Sequence, residues 1–295
     1  MNAAPQNDSH LLRIVHRTHY HYSKPVTFEM HRLVVRPREG HDLRVEQLNL
    51  SITPAADVTW AWDIFGNSIA YAHFRESGTE LKFDVDVVVR RFFSPNAPPN
   101  KPHSLSPYPL EYDLLEQAIL KGYMTPVFAE ETSALHEWIK TLPNPMEFSN
   151  TEAFVLHLAE IIHQKIRYER REQKGVQTPE TTLSLGSGSC RDLATLLMET
   201  LRHLGIAARF ASGYLDCQAT RAARGSTHAW AEVYFPQLGW RGFDPTTGKR
   251  CAHKHIVTGT SFHPRHVMPM TGKHFGPSES FLRMVVGVEF STPEQ

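Results

Sequence analysis

Along the first ninety residues, apolar side chains fall on every second position. Leu12, Ile14, His16, Thr18, Tyr20 and Tyr22 share one face of a first segment. Leu81, Phe83, Val85, Val87 and Val89 alternate with Lys82, Asp84, Asp86 and Arg90 in another. A period of two is that of a half-buried strand. Between these segments VTWAWDI and SIAYAHF flank FGN, a turn signal. Residues 11–93 therefore predict an antiparallel β domain, sandwich-like, after a flexible N-terminus of residues 1–10. Residues 94–109, SPNAPPNKPHSLSPYP, hold six prolines, a composition that sustains neither helix nor central strand and marks a linker. A second domain is expected over residues 110–295.

In that second part the period changes to that of a helix. Leu135, Trp138, Ile139 and Leu142 form one stripe, and Phe154, Leu158, Ile161, Ile162 and Ile166 form the next. Both are packing faces. A third stripe, Leu193, Leu196, Leu197, Leu201 and Leu204, ends at Gly205, a C-terminal stop. Strand patterns return in IAARFASGYL, THAWAEVYF and WRGFD, so the domain reads as α+β, helices first and an antiparallel sheet after. FLRMVVGVEF predicts a last strand, with no indication of which sheet it joins.

The third helix begins in an unusual way. GSGSCRDLATLL puts Cys190 after a glycine-serine loop, and Ser189 with Asp192 three residues later has the spacing of a capping box. Ser189 is then the N-cap and Cys190 the first helical residue, its sulfur at the positive end of the helix dipole. A thiol of ordinary pKa, about 8.5, is lowered by such a site and by an imidazolium partner. Gly186 and Gly188 leave room beside the sulfur and backbone N–H groups free for the oxygen of an acyl substrate, and Ser189 is a further candidate to meet it. A small buried residue in a tight turn is the competing reading.

A nucleophilic cysteine needs a base, and the base needs an orienting group. His228, Trp230, Glu232 and Tyr234 share one face of the THAWAEVYF strand, and the strand after PQLG ends at Asp244. If His228 and Asp244 oppose each other across a hairpin, its centre falls at Pro236, in the turn. Opposed residues have Cβ atoms about 4.5–5.5 Å apart, and a one-residue slip would separate the two onto opposite faces.

Composition removes some alternatives. Thirty-one Lys plus Arg balance thirty-one Asp plus Glu, so no overall field argues for nucleic acid. Three cysteines, at 190, 217 and 251, suggest no disulfide framework, and the polar start lacks a leader pattern. A cytoplasmic protein without a membrane span is expected. Cys251, His253 and His255 alternate in CAHKH and would project together from a strand as zinc ligands. With no C-x-x-C pair beside them, no metal and no other cofactor is expected, and a zinc-binding or non-catalytic binding module is the alternative of another class.

Taken in order, GSGSCRDLATLL, THAWAEVYF and GWRGFDPT resemble the transglutaminase-like superfamily of papain-type cysteine enzymes. LRIVHRTHYHYSKPV and HRLVVRPRE resemble the opening of the N-terminal β domain of its bacterial branch. The resemblance implies a papain-like catalytic domain in which Cys190 is the nucleophile, His228 the base and then acid, and Asp244 the orienting residue. It also implies acyl transfer from an amide through a thioester. Water as acceptor makes a peptidase or amidase, the favoured outcome, and bacterial relatives are usually read as candidate cysteine proteases. A lysine amine as acceptor makes a crosslinking transglutaminase. Gln177, in the family's corresponding segment, is a candidate for the substrate-facing wall, Tyr168 for oxyanion stabilisation, and Trp230 for a cover over the imidazole or a plain core residue. The expected partner is a peptide or protein substrate, with no nucleic acid and no membrane, and a homodimer is left open. Residues 264–276 are expected to line the mouth of the site.

Overall fold

A computed structural model describes residues 9–92, 106–128, 133–216, 227–236, 238–277 and 279–293. Six strands build the N-terminal part: β1 (Ser9–Phe28), β2 (His31–Leu33), β3 (Leu43–Thr53), β4 (Ala56–Trp62), β5 (Ser68–Phe74) and β6 (Gly78–Phe92). β6 lies between β1 and β3, both antiparallel to it, and β5 lies between β2 and β4 in a second sheet. The alternation in the sequence works as expected, with Leu12, Ile14, His16, Thr18 and Tyr22 of β1 and Leu81, Phe83, Val85, Val87 and Val89 of β6 buried. Tyr22, Val26, Phe83 and Val85 of one sheet meet Leu33, Ala70 and Ala72 of the other in one core, so the part is a sandwich. Of the expected linker, residues 94–105 lie outside the described residues, and 106–109 form neither helix nor strand.

Helices come next: α1 (Leu114–Met124), α2 (Ser133–Lys140) and α3 (Thr151–Lys165), then β7 (Arg167–Tyr168), α4 (Pro179–Leu185), β8 (Ser187–Gly188) and α5 (Cys190–His203). A second antiparallel sheet follows, made of β9 (Ala208–Leu215), β10 (Thr227–Phe235), β11 (Gly239–Asp244), β12 (Lys249–Arg250) and β13 (His255–Ser261). Its strands are ordered β12-β11-β10-β9-β13. The leucine stripe of α5 packs between Phe154, Leu158 and Ile162 of α3 and Phe210, Ala229, Ala231 and Val233 of the sheet. Full burial of such a side chain is worth about 1.5–3 kcal/mol, so this stripe fixes α5 on the sheet with its first residue at the end of β10. Gly205, at φ +72°, ends the helix in a conformation that side chains disfavour.

The C-terminal stretch departs from expectation. β14 (Met270–Thr271), β15 (His274–Phe275) and β16 (Phe281–Ser291) all join the N-terminal sandwich, β14 on β2 and β15 and β16 on β1. The second domain therefore does not run to the end of the chain, and the last strand closes the first sheet. A local pattern cannot show this, because any exposed strand edge satisfies a final strand equally. The same pairing corrects the expectation for residues 264–276. Val267 and Met268 are buried in the core beside α5, and the segment serves as a strap between the two parts. At its end, burial and then the charge of Lys174 lower the pKa of His274.

The two parts share a core of their own, in which Leu12, Ile14, Val87, Val89 and Val288 enclose Tyr214 of β9 and Ile256 of β13. Polar bonds pin it. Tyr214 Oη donates to the Val35 carbonyl at 3.2 Å, and Asn67 accepts from the Thr260 amide at 2.9 Å through its side-chain oxygen. Burial lowers the pKa of His16, beside Tyr214 at 3.2 Å, to about 4.

At the other end of α5, Arg202 is fully buried and donates to Glu199, also fully buried, at 3.1 Å. It also donates to the carbonyls of Ala208, Phe262 and Thr125, tying the helix, the sheet, the strap and the end of α1 together. Burial raises the pKa of Glu199 against the pull of Arg202. Arg202→Met leaves that carboxylate buried without its cation and is expected to cost about 3–5 kcal/mol in urea unfolding at neutral pH. The loss should shrink in acid, where Glu199 takes up a proton. A loss under about 1 kcal/mol would refute the tie.

Candidate active site

The turn before α5 is built from short elements that leave little freedom. α4 ends at Gly186 in the left-handed region, φ +59°, and β8 then pairs in parallel with β7, Tyr168 beside Gly188. Ser189 is the N-cap and Cys190 opens the helix, as expected. Asp192 organises this turn. Its buried carboxylate accepts from the Ser189 amide and hydroxyl, each at 2.8 Å, from the Gln177 amide at 2.7 Å, and from Arg171 at 2.8 and 3.0 Å. Burial alone would raise the pKa of Asp192, and the Arg171 and amide hydrogen bonds lower it instead.

This network corrects one expectation. The Ser189 N–H is engaged by Asp192, so it is not a free donor for a substrate oxygen. The Cys190 amide, first in the helix, has no intrahelical partner and is the donor the turn leaves. Gly188 is required for space: a Cβ there would lie 2.8 Å from Cβ of Asp192 and 3.1 Å from Oε1 of Gln177. That Oε1 also accepts from the Thr182 hydroxyl at 3.1 Å, which leaves the Gln177 amide NH2 as a donor. Arg171 and Asp192 were missed as site-forming residues, although the S-x-x-D spacing was a signal for the second.

Cys190 is buried to 8% exposure, as is His228. His228 Nε2 lies 2.9 Å from Oδ2 of the fully buried Asp244, and Cys190 lies near enough to raise the pKa of His228, Nδ1 being the ring nitrogen that Asp244 leaves to face a thiol. The three residues expected to act together are therefore gathered in one cluster, with His228 and Asp244 in contact. The hairpin register differs from the expected one. β10 and β11 pair from Phe235–Gly239 to Ala231–Phe243, centring the turn on residue 237, so Asp244 falls opposite Trp230 and reaches His228 diagonally. Gly239, at φ +71°, takes up the tight return. The slip is by a whole pair, so both side chains keep one face.

Charge follows from this geometry. Burial would lower the pKa of His228, but the hydrogen bonds to Asp244 and Cys190 and the charges of both outweigh it, and it is pushed up to about 10. Asp244, raised by burial, is held well below the usual carboxylate range by His228 and His255. Tyr168, half exposed and paired with Gly188, has its pKa raised by burial and then by the charge of Cys190. Trp230 is buried, as a core residue would be, and its ring lies 6.2 Å from that of His228.

The zinc pattern is not realised as expected. Residues 251–254 form a turn rather than a strand, Cys251 packs against Gly242, and His255 points at Asp244, 3.3 Å from Oδ2. Among the described residues, the atoms that could hold a metal are those of His228, Asp244 and His255, all within 4.8 Å of one another. Two of these belong to the expected triad, so a metal there would compete with it. No local pattern announces the meeting of His255 with Asp244, because it joins strands at opposite sides of the sheet.

The sign of the pH dependence follows. The raised His228 pKa gives stability that is fully present below about 6.5, its unfolded value, and lost as pH rises through about 10. Asp244 contributes above the ordinary carboxylate range and loses its share only in strong acid. The advantage in thermal midpoint of the wild type over His228→Gln should therefore be largest near pH 6 and shrink toward pH 10. A gap independent of pH would refute a charged His228.

Comparisons with known proteins agree with this architecture. Residues 12–90 match the bacterial transglutaminase-like N-terminal region, and residues 140–245 match the transglutaminase-like superfamily. An uncharacterised protein of Mycobacterium tuberculosis is 29% identical over 303 residues, covering 94% of this chain and 91% of its own. One of Mycobacterium leprae is 24% identical, covering 94% and 98%. The crystal structure of a candidate cysteine protease from Cytophaga hutchinsonii superposes with a TM-score of 0.72 at 16% identity, over 98% of this chain and 93% of its own, and shares the fold. Residues 140–245 thus belong to the transglutaminase-like superfamily, and residues 12–90 to the N-terminal region of its bacterial members.

Proposed function

We propose that the protein is a cysteine-dependent acyl-transfer enzyme that hydrolyses amide bonds in peptides or proteins. The observation that carries this reading is the cluster of Cys190, His228 and Asp244, with the thiol at a helix start beside the imidazole and the imidazole 2.9 Å from a fully buried carboxylate. In the first step Cys190 Sγ attacks the amide carbonyl carbon, and the oxygen takes up negative charge beside the Cys190 N–H and the Gln177 amide. The carbon–nitrogen bond then breaks, the His228 imidazolium gives its Nδ1 proton to the departing amine, and a thioester remains. In the second step water gives a proton to His228 as it attacks the thioester, and the carbon–sulfur bond breaks to release the acid and restore the thiolate. Asp244 stays ionised and holds the imidazole throughout.

Amine transfer uses the same first step and differs only in the acceptor. A peptide pool containing glutamine, incubated with and without a primary amine and read by mass spectrometry, separates the two, with Cys190→Ala as control. Cleaved backbones that vanish in the variant are the expected result. Intact peptides whose glutamine has taken up the amine would make the protein a transglutaminase, and no change in either would refute an amide-directed enzyme.

A further inference from the structure

The proposed steps leave His255 without a part, yet it touches the residue on which they turn. Its Nε2 approaches Oδ2 of Asp244 at 3.3 Å, the same oxygen that His228 approaches at 2.9 Å. Its Nδ1 accepts from the Ala252 amide at 3.3 Å. A ring nitrogen facing an N–H carries no proton of its own, so the proton of the neutral ring sits on Nε2. His255 therefore donates to Asp244 without needing a charge. The Trp230 ring stands edge-on to His255, 5.1 Å away at 78°, and holds it in place.

Asp244 has no exposure, so donors alone set its orientation: the Thr246 amide on Oδ1 at 2.9 Å and two imidazoles on Oδ2. Behind His255 lies a cavity of about 240 Å³, bounded by Trp230 and His255 on the sheet and by Leu43 and Arg91 of the N-terminal sandwich. The His255 ring stands between this cavity and the carboxylate. The other titratable groups facing Asp244 are Cys251, whose thiol is pushed well above its ordinary value by burial and then by Asp244, and Tyr168 across the site.

We propose that His255 is a positioning residue of this site: as a neutral donor it locks the Asp244 carboxylate toward His228 and shields it from the cavity. The assignment rests on the reading of Cys190, His228 and Asp244 as the reacting set. It also gives the N-terminal sandwich a bearing on the site, since that part walls the cavity from the other side.

The test is the rate at which iodoacetamide labels Cys190 in the full chain across pH, with the labelled residue identified by peptide mass spectrometry. This needs no substrate. A thiol paired with an imidazolium reacts at pH values where a free thiol does not. His255→Phe keeps a planar ring but removes the donor, and is expected to lower labelling near pH 6 about tenfold. His255→Gln, which can still donate, should recover part of the rate. His255→Gly should lose it as well and regain it when free imidazole, small enough for the cavity, is added, whereas imidazole should do nothing for His255→Phe. A wild-type profile in His255→Phe, or a loss in the phenylalanine and glycine variants that neither glutamine nor imidazole repairs, would overturn the positioning role while leaving the proposed chemistry standing. If wild-type Cys190 itself reacts no faster near pH 6 than a free thiol, the reacting set is wrong and the role of His255 falls with it.

Discussion

A carboxylate with no access to solvent cannot be left unpaired, and Asp244 sets its terms on everything around it. Its two oxygens are served by the Thr246 amide, His228 and His255, and each of those donors fixes one piece of the fold: the turn after β11, the start of β10 and the start of β13. Stripping such an anion of water costs several kcal/mol unless its partners are in place. The sheet therefore cannot slip without exposing that cost. Because β10 is held here, His228 meets the N-terminus of α5, and the leucine stripe of α5 does the rest by fixing Cys190 against the same sheet.

A second buried carboxylate performs the equivalent task for the turn. Asp192 gathers Arg171, Gln177 and Ser189 and thereby shapes the loop that would meet a substrate oxygen. The two anions divide the work. One orders the charged side chains, and the other orders the backbone and the amide donors beside the thiol.

Much of this was legible in the sequence because it depends on local order. Strand alternation in β1 and β6, the stripe of α5, the cap at Ser189 and the shared face of His228 and Asp244 are all set by residues a few positions apart. What was not legible depends on distant segments. β16 joins β1 across most of the chain, His255 reaches Asp244 from the far edge of the sheet, and the hairpin is centred one residue later than symmetry suggested because Gly239 tightens the return. The amide of Ser189 was read as available, yet a carboxylate three residues on takes it. In each case the sequence offered the right residue types, and the choice among their partners was made by packing.

The N-terminal sandwich is joined to the second part by a shared core around Tyr214 and Ile256 and by three strands from the end of the chain. It behaves as a fixed wall of the molecule and places Arg91 and Leu43 over the cavity behind the site. The central claim is that Asp244 and His228 together make Cys190 a nucleophile, and its most direct test is a stopped-flow reaction with p-nitrophenyl acetate, followed by peptide mapping. The account predicts a burst of nitrophenolate equal to the amount of protein and an acetyl group on Cys190, with the burst phase strongly slowed in both His228→Ala and Asp244→Ala. A burst that survives both substitutions, or an acetyl group carried by another residue, would contradict it.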